Sequence, residues 1–488
     1  MRARRNSPDA EAQAAGRAST AFAWSFTNTV VARFGTLAIG VALARLLGPE
    51  EFGTFAVAFI ALLAVLSFNE LGVSLAIVRW TDDPRAIAPT VTSVSLLMSA
   101  VITAGMLLAA GPFAEAMGDP DAAGMVQALS LCVLLNGAVA TPAALLQRYF
   151  RQDRRMISDQ VNVWVGAAVS LGLAVSGAGA WSLVIGRLAG ALTSGVLLIA
   201  YSPLPYRLGL DRRYVRPLLR FGAPLAGASL IVFTIGFVDQ LAVGHLLGPV
   251  VLGYYVLAFN LSSWPVSIFS QPLRSVAPAM FARLQHDPEA MSAAFHRLLR
   301  PLAAVALPIC VVLGVTAPDI VSFVYGPAWL PAAEPLRWLC LMAAFRIFFE
   351  LTYDYLVVLR RSRIILAVQL VWLLALVPLV IAGARIGGAG GAGAGVVAVA
   401  AVVVLPMYLR ALSRVGIDLR AVWRHCAPAL VATVALGGVV AVLAHLIPTA
   451  FPALAGSGLV TCVVVGALLW RDRASLTALR TRPAEVAA

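Results

Sequence analysis

Apolar runs of about twenty residues, separated by short polar or Gly/Pro-rich breaks, recur from near one end of this chain to the other. A backbone in lipid must satisfy its own hydrogen bonds, so each run of about 20 apolar residues predicts a membrane-crossing helix. Fourteen such spans are expected, at 22–47, 53–78, 87–111, 123–147, 160–177, 180–201, 222–247, 250–280, 299–325, 333–358, 363–383, 389–410, 427–446 and 451–470. The stretch Gly387–Gly395 reads equally as loop or helix. The expected fold class is an all-α polytopic membrane protein of about fourteen transmembrane helices.

The arginines test that count. Loops that stay in the cytoplasm carry an excess of basic residues. Arg2, Arg4, Arg5 and Arg17 precede the first span, and Arg79 and Arg85 follow the second. Every second connection after that is basic again: Arg148–Arg155, Arg207–Arg220, Arg283–Arg300, Arg360–Arg363, Arg410–Arg424 and Arg471–Arg482. The alternate connections hold Glu50, Glu51, Glu115, Asp119, Asp121 and Asp319 instead. A missed or invented span would break the alternation, so both termini are expected in the cytoplasm.

One segment occurs twice. Leu46-Leu47-Gly48-Pro49-x-x-x-Gly53 returns as Leu246-Leu247-Gly248-Pro249-x-x-x-Gly253, and eight of eighteen residues agree between 42–59 and 242–259. A fainter echo relates Gly118, Leu131 and Cys132 to Gly326, Leu339 and Cys340 at a constant offset of 208. The copies join spans one and two, then seven and eight. An even number of spans separates them, so the halves share one orientation, as in transporters built from parallel repeats. The expected organisation is a cytoplasmic tail at 1–19 and an N-lobe of helices one to six at 20–201. A cytoplasmic linker at 202–221 leads to a C-lobe of helices seven to twelve at 222–412. Helices thirteen and fourteen at 413–470 and a tail at 471–488 complete it.

Composition then removes alternatives. The chain is 488 residues, 60% hydrophobic and 12% charged, against about 25% charged in soluble domains. Mean hydropathy is +0.89. The net charge of +13 comes from arginine alone, since no lysine occurs. Its placement marks topology and contact with anionic lipid rather than nucleic acid. Without lysine no Walker loop exists. Gly388-Ala389-Gly390-Gly391-Ala392-Gly393 spells a dinucleotide-binding pattern but follows no soluble strand and has no acid at the required spacing. Glycines every four residues (Gly387, Gly391, Gly395) instead permit close helix approach. Cys132, Cys310, Cys340, Cys426 and Cys462 sit singly in apolar runs and read as packing residues, and no metal or cofactor site is expected. No cleavage site follows a short apolar core near the start, so the first span is read as an uncleaved helix.

Several motifs, in order, resemble those of one family. They are Gly177-Ala178-Gly179-Ala180-Trp181-Ser182-Leu183-Val184, then Phe221-Gly222, then Asp239 with Gly244, Gly248, Gly253, Tyr254, Tyr255 and Ala258. Pro278 before Arg283-Leu284 and Tyr325-Gly326-Pro327-x-Trp329 complete the series. Over residues 20–470 the chain resembles the fourteen-helix branch of the Wzx-type polysaccharide flippases, in the multidrug/oligosaccharidyl-lipid/polysaccharide exporter superfamily. The resemblance implies a V-shaped two-lobed cavity in a bacterial cytoplasmic membrane. It also implies translocation of undecaprenyl-pyrophosphate-linked repeat units for exopolysaccharide, capsule or O-antigen (lipopolysaccharide) biosynthesis. The partners it implies are that lipid-linked saccharide, membrane lipids, and the polymerase and chain-length regulator of the same pathway. A multidrug or lipid II exporter is the alternative within the superfamily. A membrane polysaccharide polymerase or glycosyltransferase is the alternative of another class, and the short outward connections argue against it.

Charged residues inside the spans are the candidate site. A central arginine costs roughly 2.5–3.5 kcal/mol on insertion scales, so it is expected to face protein or a wet cavity. Arg33, Arg187, Arg274 and Arg346 lie well inside spans, and guanidinium forks suit phosphate oxygens. Arg33 and Arg274 lead, because spans one and eight belong to opposite halves. The competing reading is that each pairs with an acid or snorkels. Glu70, Asp239, Glu350 and Asp354 are the intramembrane acids, read as ion, proton or gating residues. Arg346, Glu350 and Asp354 step by four along one helix face, where an internal Arg–Glu pair with Asp354 near the headgroups is the plainer reading. Arg45, Arg337 and Arg385 are expected to snorkel, and His245 and His445 to occupy solvated turns.

Overall fold

The computed structural model describes residues 8–69, 76–77, 83–447 and 449–471. No strand occurs among them. The continuous helix Pro8–Asn69 is broken at Gly48 (φ 74°, ψ 176°) and makes two crossings, α1 (8–47) and α2 (49–69). There follow α3 (Pro84–Ala116), α4 (Ala122–Arg148), α5 (Gln152–Val175), α6 (Trp181–Ala200), α7 (Arg212–Leu247), α8 (Pro249–Arg283), α9 (Pro288–Val315) and α10 (Ala333–Val358). A second long helix is broken at Gly387 and Gly388, giving α11 (362–386) and α12 (389–414). The latter passes through a π turn at Ala400–Val404. Last come α13 (Leu419–Leu446) and α14 (Ala450–Arg471). Eight described segments are long and apolar enough to cross a membrane by length and composition, two of them, 37–67 and 362–414, running across a glycine break. The protein is a fourteen-helix, all-α membrane protein.

Two kinds of punctuation set the helix ends. At the end of the bundle rich in arginine, α3, α7, α9 and α13 start on an aspartate N-cap. Asp83, Asp211, Asp287 and Asp418 accept from the backbone N–H of Arg85, Arg213, Ala290 and Arg420 at 2.9–3.0 Å. A short acidic side chain satisfies one orphan donor and favours the positive helix terminus. At the opposite end Gly48, Gly118, Gly248 and Gly326 all take positive φ, and proline follows at once in three of the four. Glycine accepts that backbone without strain, and proline suits the first helical turn.

Several helices begin earlier than expected at the arginine end, α5 at Gln152, α9 at Pro288 and α13 at Leu419 among them, and three places bear on the architecture. α7 starts at Arg212, ten residues early, because its first three turns are too polar to register as a span; they fall in the stretch read as linker. The expected ninth span, 299–325, is instead α9 and a separate short helix, Ala317–Val324, since Pro318 lacks the N–H that would continue α9. The ambiguity over Gly387–Gly395 resolves into a turn at Gly387–Gly388 and helix beyond it.

Packing defines two lobes. α1–α6 pack among themselves, as do α7–α12, while α13 and α14 lean on α9. A continuous core joins the lobes at the glycine-turn end: Ala44, Val57 and Ile60 of the N-lobe share it with Val243, Leu252 and Tyr255 of the C-lobe. At the arginine end the cores are separate. One holds Ile87, Val91, Val94 and Leu145; the other holds Phe281, Phe295, Tyr355 and Leu412. Among the described residues the lobes share buried apolar surface at the glycine-turn end, where the V is closed, and at the arginine end only the start of α7 reaches the N-lobe core, through Leu218.

Candidate functional site

The apex of the V is built from the duplicated segment packed against its own copy. Gly48 and Gly248 have nearly the same backbone, φ 74° and 84° with ψ near 176° and 175°, so both copies turn alike. Each following helix then presents Gly53 or Gly253 to the other lobe. A Cβ at Gly53 would run into the carbonyl of Pro249, and one at Gly253 would sit 2.9 Å from the carbonyl of Pro49. The contact is reciprocal, as a pseudo-two-fold axis requires. Only hydrogen at those positions lets the backbones meet.

Polar contacts around the apex repeat the symmetry. At the end of α1, Arg45 donates from Nε to Val324 O at 2.7 Å and from Nη2 to Phe323 O. At the matching end of α7, a ring nitrogen of His245 meets Ala116 O. Arg45 and His245 stand 200 residues apart, like Gly48 and Gly248. Val324 and Ala116 stand 208 apart, like Gly326 and Gly118. Each lobe thus closes on a carbonyl at the last turn of the other. Both side chains stand exposed at helix ends, and each also holds a carbonyl of the other lobe. The α1 turn is plugged further by Trp329, which is 1% exposed, donates from Nε1 to Ala44 O at 3.0 Å, and stands edge-on to Phe52 and Tyr254. Glu51 in the same turn accepts from Ala180 N at 2.6 Å, tying the α6 N-terminus to the apex.

The intramembrane charges distribute unevenly. Asp239 of α7 is buried beside the apex, where Oδ2 accepts from Tyr255 Oη of α8 at 2.8 Å and Oδ1 from Gln240 N. The Gly-Pro turn folds α8 back on α7 and brings these two residues together. Arg346 and Glu350 form an ion pair at 3.1 Å along α10, so the guanidinium already has an anion. Asp354, four residues from the arginine-end terminus of α10, is buried against protein. Arg187 of α6 lies over the Phe59 ring of α2, 5.8 Å from its centroid, inside the N-lobe. Arg33 is on α1 and Arg274 on α8, two helices that pack across the lobe interface, and their side chains lie outside the described residues. Glu70 lies outside them too. No group of three or more metal-ligating side chains occurs among the described residues.

This two-lobed bundle is the fold of the superfamily expected from the sequence. The solved structure of a lipid II flippase MurJ in an inward closed conformation superposes with a TM-score of 0.74, covering 91% of this chain and 98% of that one at 14% identity. An inward-facing multidrug resistance transporter of the MATE family, in the MOP superfamily, gives 0.64 over 78% and 94% of the two chains, also at 14% identity. Residues 42–334, more than half of the chain, match the model of the polysaccharide biosynthesis protein family, and the chain belongs to that family. Among curated relatives, the lipopolysaccharide biosynthesis protein WzxC of Escherichia coli (strain K12) is 23% identical over 66% of either chain. The succinoglycan biosynthesis transport protein ExoT of Rhizobium meliloti (strain 1021) is 27% identical over 65% of this chain and 64% of its own. The matched stretch spans just under two thirds of these relatives' lengths.

Proposed function

We propose that the protein is a flippase. It moves an undecaprenyl-pyrophosphate-linked saccharide from the cytoplasmic to the outer leaflet of a bacterial cytoplasmic membrane by alternating access of the two lobes, without altering the cargo chemically. The observation that carries this reading is the core pattern among the described residues: one apolar core across both lobes at the glycine turns, two cores at the arginine end that meet only through the start of α7. Such a body exchanges its open side by rocking about the apex, and binding energy that differs between the two states drives the exchange. Family membership supports a role in polysaccharide biosynthesis.

In this reading the arginine end and both termini are cytoplasmic. Arg33 and Arg274 hold the pyrophosphate between the lobes, where forked guanidiniums suit phosphate oxygens. Arg346 is given a structural role, because Glu350 occupies it. The test is reconstitution of the purified chain in vesicles containing the lipid-linked saccharide. Protein-dependent relocation between leaflets, with substrate recovered at unchanged mass, is expected. No relocation above protein-free vesicles overturns the reading, and glycan growth or sugar release by the protein alone makes it a polymerase or transferase.

A further inference from the structure

A second basic site lies outside the inter-lobe cavity. The first turns of α7 place Arg212, Arg216 and Arg220 on one helical stripe, spanning about 12 Å at 1.5 Å per residue. They line one wall of a cavity of about 810 Å³; Val94, Leu97 and Met98 of α3 form the other. Leu210 and Val215 complete the lining. The groove is held open by a built framework. Gly209 N donates to Ser93 Oγ at 3.0 Å and Asp211 N to Thr90 Oγ1 at 3.1 Å, pinning the start of α7 to α3. Leu218, on the other side of the α7 start, is buried in the N-lobe core.

Charge and apolarity are segregated across this groove. All three arginines are exposed, and none makes an ion pair among the described residues. The adjacent acid, Asp211, is turned to the backbone of Arg213 as its helix cap. Like charges at i, i+4 repel, so a ladder of three without acids is complemented best by one multivalent anion. The facing wall of α3 is hydrocarbon, with Leu97 63% exposed. Val94 lies ten residues into α3, about 15 Å from its start, so the groove reaches from headgroup level into apolar depth. A ligand that satisfies both walls has a multiply charged phosphate head and a hydrocarbon tail.

We propose that the Arg212/Arg216/Arg220 groove is a loading site for the diphosphate–isoprenoid end of a lipid-linked substrate, occupied before the substrate enters between the lobes. The proposal rests on the flippase reading for its choice of ligand. A diphosphate brings more charge to one point than a phospholipid phosphate, and forked guanidiniums grip its oxygens bidentately.

The test uses the purified full chain and undecaprenyl diphosphate, with no sugar, as probe; phosphatidylglycerol is the comparison ligand. R212Q/R216Q/R220Q is expected to weaken diphosphate binding by about tenfold or more, the scale of a few lost charge-assisted hydrogen bonds. R410Q/R414Q/R424Q, with the same charge removed elsewhere at the arginine end, is expected to stay near wild type. R212K/R216K/R220K, which keeps charge and fold, is expected to fall between. Unchanged diphosphate binding in the glutamine variant, or an equal loss of phosphatidylglycerol, overturns the proposal, the second outcome marking a general anionic-lipid surface. The two readings fail separately. Wild-type vesicles that relocate the lipid-linked saccharide while the glutamine variant relocates it equally well at limiting substrate defeat the groove alone. Wild-type vesicles that relocate nothing defeat the flippase reading, whatever the groove binds.

Discussion

A guanidinium within a span needs an anion, a carbonyl or water, and the arginines here divide by which of these they have. Arg45 has two carbonyls across the lobe seam and Arg346 has Glu350 on its own helix. R346Q is therefore expected to leave a partly buried carboxylate unpaired and to reduce functional yield several-fold, and R346Q/E350Q to recover most of it; complementation of a flippase-deficient strain at matched expression reads this. A phosphate-binding Arg346 would not be rescued by losing its acid. R33A should abolish or greatly reduce complementation, R33K should restore part of it, and R274A should be milder. Normal transport by both alanine variants at wild-type abundance would make those two residues structural. At the seam, G53V forces methyl groups into the carbonyl of Pro249, at about 1–3 kcal/mol for overpacking. That is enough to shift a two-state balance by about fivefold or more towards the open apex. Faster thiol labelling of Ala44→Cys, a position 1% exposed in the shared core, with the native cysteines replaced, would report it, and unchanged labelling would show that the apex tolerates the bulk.

At the scale of elements, much of the molecule was legible because lipid leaves the chain few options. Runs of apolar residues had to be helices, and arginine at every second connection fixed their number. The repeat at Leu46 and Leu246 foretold two lobes, and the same glycines proved to be where the lobes touch. Other features hid for physical reasons. The start of α7 is polar on one stripe and apolar on another, so a hydropathy reading passes it as linker. The capping of Val324 by Arg45 joins residues 279 apart through a backbone carbonyl, which has no side-chain signature. The Asp239–Tyr255 pair was closer to legible, since a Gly-Pro turn between antiparallel helices brings such positions together. The α11–α12 hairpin gives a further expectation. Gly383 and Gly391 each abut the other's carbonyl, so G391L should separate the helices and lower the unfolding midpoint of the purified protein by several degrees. An unchanged midpoint would mean the hairpin does not depend on that approach.

The whole molecule is a V whose two ends differ in what they bury. At the apex, paired glycines, a plugging tryptophan and reciprocal carbonyl contacts make one interface that can part as a unit. At the arginine end the described cores are separate except at the start of α7, whose Leu218 is buried in the N-lobe core, so that segment connects the lobes and the rest can move without unpacking either core. Opening the apex must close the arginine end if the lobes are rigid. This opposition is tested most directly by a pair of spin-label distances by pulsed electron resonance in the reconstituted protein, with the native cysteines replaced. One pair spans the arginine end at positions 151 and 360; the other spans the apex at positions 121 and 330. On adding saturating lipid-linked saccharide under conditions of turnover, a population is expected in which the first distance shortens and the second lengthens. Two distances that both stay fixed, or move in the same direction, while the saccharide crosses the membrane would contradict the account.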